Sequence, residues 1–228
     1  MKTLLYLIVV ILVIWLGYNY INKDKRAVVL DDKKDDVIVP VTSTREVTTG
    51  VYEVANRESK AEWAGSKTLI KDYYDSGSIM IKSGTLIVAE NKINSGEIIF
   101  DMNSITALTT GKGDGQDNLS KHLKSEDFFD AVKYPEAKFV VKGMYYAVGQ
   151  AMLSGDLTIK AVTSPIAIPI TLVIENNNLV LSGTASVDRT IWHVRYGSGK
   201  FFTGLGDKVI NDIFTLKFKV VAGVAMAQ

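Results

Sequence analysis

His122-Leu-Lys-Ser-Glu-Asp-Phe-Phe-Asp-Ala-Val-Lys-Tyr-Pro-Glu-Ala-Lys-Phe139 carries three structural signals in one short run. A helical segment, Leu119 to Lys124, ends in an acidic turn. Two adjacent rings, Phe128 and Phe129, meet a Tyr134-Pro135 break. An alternating strand then starts at Ala137. On an extended chain, neighbouring side chains point to opposite faces, so one ring packs inward and the other needs a second apolar wall. The segment therefore reads as an aromatic plug seated on β-structure, packing the helical insertion onto the sheet. The alternative is that one ring lines the mouth of an internal space.

On both sides of this segment the apolar period is two. Leu179, Leu181, Gly183, Ala185 and Val187 alternate with Ser182, Thr184, Ser186 and Asp188. Leu153, Leu157, Ile159 and Ala161 alternate with polar residues. So do Phe214, Leu216, Phe218 and Val220, and Ile98, Phe100 and Met102. Ala137, Phe139, Val141 and Tyr145 oppose Lys138 and Lys142. Each pattern predicts a strand with one apolar and one wet face. Lys82-Ser-Gly84, Asn94-Ser-Gly96, Gly149-Gln150 and Asn176-Asn-Asn178 read as turns. Pro165 and Pro169 mark an edge, a bulge or a strand start. About eight strands with one apolar face must close into a barrel or pack as a sandwich. Long strands near 79–89 and 150–161 favour the barrel. The expected fold class is all-β: an eight-stranded antiparallel barrel with a short helical insertion, preceded by one N-terminal transmembrane helix. Such a barrel has room for side chains or one small ligand.

Thr3 to Asn22 contains no charged residue, and twenty helical residues match a bilayer core. Residues 1–22 are read as a membrane anchor or signal sequence. No small-x-small cleavage site follows, which favours an uncleaved helix over a cleaved signal peptide. Lys23, Lys25 and Arg26 after the span outweigh Lys2 before it, so the flanking charges lean toward a cytoplasmic domain. Residues 23–46, with Asp31-Asp-Lys-Lys-Asp-Asp36, form a charged linker. Residues 47–228 are the barrel domain, with Val224 to Gln228 expected to fray.

Composition excludes several chemistries. There is no Cys, hence no disulfide, thiolate metal site or Cys nucleophile. Seven Lys or Arg and six Asp or Glu precede residue 47, so the remaining 19 of each sign cancel and no nucleic-acid footprint is left. The two histidines, His122 and His193, lack metal-ligand spacing. No P-loop or GxSxG elbow occurs. Gly111 to Asp117 lacks the ligand spacing and closing Glu of a calcium loop and reads as a flexible turn. Asp188-Arg189 reads as a strand-end ion pair. No cofactor is expected.

The residues resemble the YceI-like family, bacterial lipocalin-like barrels associated with binding polyisoprenoid lipids. The resemblance rests on Ser59-Lys-Ala-Glu-Trp-Ala-Gly-Ser-Lys67, Gly96-Glu-Ile-Ile-Phe-Asp-Met-Asn-Ser-Ile105, His122 to Asp130, Lys133-Tyr-Pro135 and Gly155 to Pro165. Asp188-Arg-Thr190 and Gly197-Ser-Gly199 follow in order. Asp75-Ser-Gly77 stands where several relatives carry His-x-Gly.

This resemblance implies a tunnel for an extended prenyl chain in a periplasmic protein; the tether to the inner membrane is read from the uncharged stretch Thr3 to Asn22, where many relatives carry a cleaved signal. Its expected lining is Trp63, Ile81 and Leu86 on the early strands and Phe100 and Met102 on the next. Phe128 and Phe129 come from the plug. Phe139, Val141 and Tyr145, Leu157 and Ile159, and Phe214, Leu216 and Phe218 come from the later strands. His122, Lys124 and Arg189 are candidate head-group contacts, and Lys200 a further source of positive charge. Gly155, Ala161, Gly183 and Ala185 at inward positions are expected to leave room. The expected partners are an isoprenoid lipid or other long-chain amphiphile and the membrane, with no nucleic acid; a homodimer is left open. The expected role is binding or sequestration of a polyprenyl phosphate or isoprenoid quinone without catalysis. The alternatives are a filled structural or stress-response barrel and an enzyme acting on such a lipid.

Overall fold

The computed structural model describes residues 47–111 and 115–225. The expected anchor and linker lie outside them, as does the centre of the Gly111 to Asp117 loop. Among the described residues, no helix is long and apolar enough to cross a membrane.

Among the described residues, nine strands and one α-helix follow in order. They are β1 Gly50–Val54, β2 Lys60–Ser66, β3 Tyr74–Ala89, β4 Lys92–Thr109, α1 Gln116–Lys124, β5 Glu136–Ala147, β6 Gln150–Ile159, β7 Val162–Glu175, β8 Asn178–Asp188 and β9 Ile213–Val224. Every pairing is antiparallel, and neighbours in sequence pair from β3 through β9. β1 and β2 both lie between β9 and β3: β2 against their outer halves near Ser76 and Thr215, β1 against Val88 and Val224. They are two segments of one stave, so nine strands make an eight-staved closed barrel. The break between them is sealed by Ser59. Its hydroxyl donates to the Ala55 carbonyl and accepts from Val221 N–H.

Two of the expected turns are bulges. Ile81 pairs with Phe100 and Ser83 with Ile99, leaving Lys82 as an extra residue inside β3. Likewise Ser95 pairs with Ile87 and Ile93 with Val88, leaving Asn94 extra inside β4. Ser and Gly there bend two long strands around the barrel instead of ending them. The real turn is Glu90-Asn91, both with positive φ. Val148-Gly149, Lys160-Ala161 and Asn176-Asn177 make the other two-residue hairpins, again with both φ positive, as right-twisted antiparallel strands require. Ala161 is therefore an exposed turn residue and not an inward one.

Three of these hairpins close one pole, where the chain also enters at Gly50. The other pole carries the long loops: 67–73, the α1 segment and 189–212. At that pole β7 and β8 separate, because β8 pairs only with Ile170–Glu175. Pro165 and Pro169 thus lie on an open edge, where a missing N–H costs no ladder bond. Trp192, in a single 3-10 turn Arg189–Trp192, is fully buried beneath this edge and donates its indole N–H to the Leu157 carbonyl at 2.9 Å. At the other end β9 continues to Val224, and Ala225 N–H donates to Val51, so the tail is ordered further than expected.

Buried apolar residues form a large cluster within the barrel and a small one at the loop pole, the latter from Trp63, Ile105, Ala107, Leu123, Phe128 and Val194. Both lie within the compact unit Thr44–Gln228, which thus holds a core of its own.

Candidate functional site

Between the two clusters lies an apolar cavity of about 300 Å³. Its wall is made by inward positions of all eight staves, and its polar lining, Ser66, Lys67, Tyr73, Asp75, His122, Arg189, Tyr196 and Asn211, gathers at the loop pole. That pole is therefore the mouth.

Trp63, Phe100, Met102, Phe139, Leu157, Ile159, Phe214, Leu216 and Phe218 line the cavity. Ile81, Leu86 and Val141 are buried in the main cluster but away from the cavity wall. Tyr145 is a correction: it is 45% exposed. Val141 pairs with Gly155 and Gly143 with Ser154, so Lys142 is a bulged residue. One extra residue inverts the alternation, and Met144 takes the inward position that Tyr145 was given.

The inward glycines also differ from expectation. A Cβ at Gly155 would meet the Phe139 ring at 2.6 Å, and one at Gly183 the Phe218 ring at 2.9 Å. These glycines do not leave empty space; they let two rings lie flat along the wall. Gly77 does the same for Trp63, whose indole N–H donates to the Thr106 carbonyl at 3.1 Å. The free volume lies instead in front of these rings.

The plug both packs and lines. Phe128 is buried in the small cluster, Phe129 packs against both clusters, and both rings border the cavity. Their segment is held by backbone bonds from Phe129, Asp130 and Ala131 to Leu123, Ser125 and Lys124. Lys160, in the one hairpin at this pole, donates to the Phe128 carbonyl at 2.8 Å. The His122 ring meets Phe128 and Tyr196 edge-on, at centroid distances of 4.9 and 4.6 Å, and its Nε2 lies 3.1 Å from Asp127. His122 thus sits at the mouth, in an aromatic trio.

Arg189 does not have a free head. It is 4% exposed. Its Nε donates to Asn211 O, Nη1 to the carbonyls of Val194 and Tyr196, and Nη2 to Ile210 O and Asp212 Oδ1. A guanidinium has five N–H donors, and all are engaged in stapling segment 194–196 to 210–212. Burial lowers its pKa, opposed by the carboxylates of Asp212 and Asp188. Nor does it pair with its neighbour as expected: Asp188 pairs with Lys200 at 2.8 Å, and Lys200 also reaches Asp212 at 3.4 Å. That occupies Lys200 as well. Lys124 is half-buried on α1 and does not border the cavity. Burial raises the Tyr73 phenol pKa, and its bond to Asp75 adds to this, so the mouth carries a protonated phenol there.

The alternation did not point to Lys67 or Lys208, because both lie outside the strands. They face a second chamber of about 370 Å³, lined also by His122, Tyr196, Gly197, Phe202, Leu205 and Ile210. Their only signal in the sequence was a lysine at each end of two loops that the fold brings together, at the Lys67–Ile210 bridge.

Among solved structures, BcnA of Burkholderia cenocepacia has the same fold, with a TM-score of 0.57 at 21% identity over 74% of this chain and 98% of that one. A polyisoprenoid binding domain from Saccharophagus degradans, implicated in plant cell wall breakdown, also has a TM-score of 0.57, at 13% identity over 78% of this chain and 100% of that one. Sequence relatives include a UPF0312 protein of Photorhabdus laumondii, 33% identical over 34% of this chain and 35% of that protein. Protein YceI of Escherichia coli O157:H7 is 32% identical over 32% of this chain and 38% of that protein. The chain spans about a third of the length of these relatives. The YceI-like domain model matches residues 52–222, from within β1 to within β9, and the chain belongs to the YceI-like family.

Proposed function

We propose that this protein binds and carries an isoprenoid-type lipid, with its prenyl chain in the barrel cavity. The observation that carries this reading is the cavity: it is apolar along its depth and gathers its polar groups at one mouth. The Saccharophagus degradans neighbour, described as a polyisoprenoid binding domain, supports the same ligand class.

Volume sets the chain length. A cavity of 150 Å³ takes one benzene, so about 300 Å³ takes about twelve carbons, or two to three prenyl units. At about 0.8 kcal/mol per carbon group, their burial is worth about 10 kcal/mol. That is of the order of the association cost, about 4–15 kcal/mol, so occupancy depends on the head group too. The arrangement suits holding a lipid, and the free volume favours this over a filled structural barrel. The uncharged stretch from Thr3 to Asn22 supports a membrane tether, and a periplasmic setting belongs to the same proposal.

The test is to purify residues 47–228, extract bound lipid for mass spectrometry, and titrate the delipidated barrel with farnesol. Binding is expected, and Ala185→Phe, which places a ring in the cavity, is expected to abolish it. No co-purified lipid together with no farnesol binding refutes the proposal.

A further inference from the structure

The second chamber adjoins the mouth. It shares Lys67, His122, Tyr196 and Ile210 with the barrel cavity. Tyr196, Phe202, Leu205 and Ile210 give it apolar walls, while Lys67 and Lys208 give it two cations. Among the described residues, no Asp or Glu lines it. Among the described residues, neither lysine has a carboxylate within ion-pair distance, whereas Lys82, Lys138, Lys142, Lys200 and Lys219 each have one.

The two lysines are held together by the backbone. Residue 67 bridges to residue 210, and Thr68 N–H donates to Val209 O at 3.1 Å. The Lys67 ammonium lies 4.9 Å from the centre of the Tyr73 ring, which favours the cation at the rim. The chamber thus sets two ammonium groups, Lys67 half-buried and Lys208 exposed, beside apolar walls.

We propose that this chamber receives a phosphate head group, with Lys67 and Lys208 as its counter-charges. The protein would then select prenyl phosphates over neutral prenyl alcohols and quinones. This rests on the lipid reading above. A phosphate monoester carries about −1.5 to −2 charges at neutral pH, matched by two ammonium groups. A neutral head would leave both solvated and gain nothing from them. The first prenyl carbons would lie along Tyr196 and Ile210, which border both spaces.

The test compares three ligands on the barrel of residues 47–228: farnesyl phosphate, farnesol and inorganic phosphate. Farnesyl phosphate is expected to bind about tenfold more tightly than farnesol at low salt, with the preference shrinking as salt rises. The Lys67→Gln/Lys208→Gln variant is expected to lose the preference while still binding farnesol, which also shows that it is folded. Equal binding of phosphate and alcohol, or a preference that survives in the variant, overturns the proposal. Inorganic phosphate binding as tightly as farnesyl phosphate assigns the chamber to a free anion and overturns it too. Binding of neither prenyl ligand refutes the lipid reading itself.

Discussion

Replacing Arg189 by Met separates a structural cation from a ligand-binding one. The side chain is 4% exposed and serves four carbonyls and one carboxylate. Met fills much of the volume but donates nothing. Four carbonyls lose a donor, and the Val194 bond is the one wholly buried. Asp212 is not stranded, since Lys200 stays 3.4 Å away. Removing one member of a buried charged pair typically costs about 3–5 kcal/mol. The retained Lys200 contact and the partly wet carbonyls place the loss near the low end, about 3 kcal/mol. Against a total stability of about 5–15 kcal/mol the variant still folds. With a urea slope of about 2 kcal/mol per M, the unfolding midpoint falls by about 1.5 M. The melting temperature falls by about 6–12 °C. Arg189→Lys, with three donors in place of five, falls between the two. Equilibrium urea unfolding followed by Trp fluorescence reads all three proteins. A loss below about 0.5 kcal/mol in Arg189→Met, accompanied by lost affinity for a prenyl phosphate, refutes the stapling role and makes the guanidinium a ligand group.

Tyr145→Lys leaves the urea midpoint unchanged, whereas Met144→Lys, which buries an unpaired charge, prevents folding or costs several kcal/mol; the reverse order would remove the bulge at Lys142. Val148 is β-branched yet has φ 49° at a fully exposed hairpin position. Val148→Asn therefore relieves about 1 kcal/mol and raises the melting temperature by about 2–4 °C by calorimetry, and no rise would mean the turn is not strained. Burial pushes the Asp188 carboxyl upward, but hydrogen bonds from Lys200 and Thr190 outweigh it and hold its pKa below the ordinary aspartate value. A depressed folded pKa gives stability that is full above about pH 4 and lost as pH falls through the folded value. Asp188→Asn accordingly flattens the acid limb of the stability–pH curve measured by urea unfolding, and an unchanged limb contradicts this.

The barrel was legible because strand alternation is a local property: each inward face could be read from its own residues. Failures arose where one residue changes the parity or where partners are distant. Lys142 looks like any outward lysine, yet as a bulge it turns Tyr145 out and Met144 in. Ser83-Gly84 and Ser95-Gly96 have turn chemistry, but their neighbours' pairing makes bulges inside long strands. Gly155 and Gly183 read as gaps because a glycine says nothing about which ring crosses it. Arg189 follows an Asp in sequence, so the local reading paired them, while the carbonyls that hold it are brought up by the loop at 210–212. Lys67 and Lys208 are separated by most of the domain, and only barrel closure puts them on one chamber.

The misreadings of Arg189, Lys67 and Lys208 all fall at the mouth pole, and the reason is physical. Tight hairpins and paired strands fix the closed pole by backbone geometry, which the sequence encodes residue by residue. The mouth pole is built from long loops whose conformation comes from a few tertiary ties: Arg189 to its carbonyls, Trp192 beneath the open edge of β7, and Lys160 to the Phe128 carbonyl. Binding residues concentrate on such loops because a rigid scaffold can hold them while they vary. It follows that stability and ligand choice are separable here. Arg189→Met should lower stability and leave head-group preference in the remaining folded protein. Lys67→Gln/Lys208→Gln should remove the preference and leave stability unchanged, since both lysines lie outside the two buried clusters. A single variant that moved both properties together would show that the loops form their fold around the ligand, and that the chamber is not preformed.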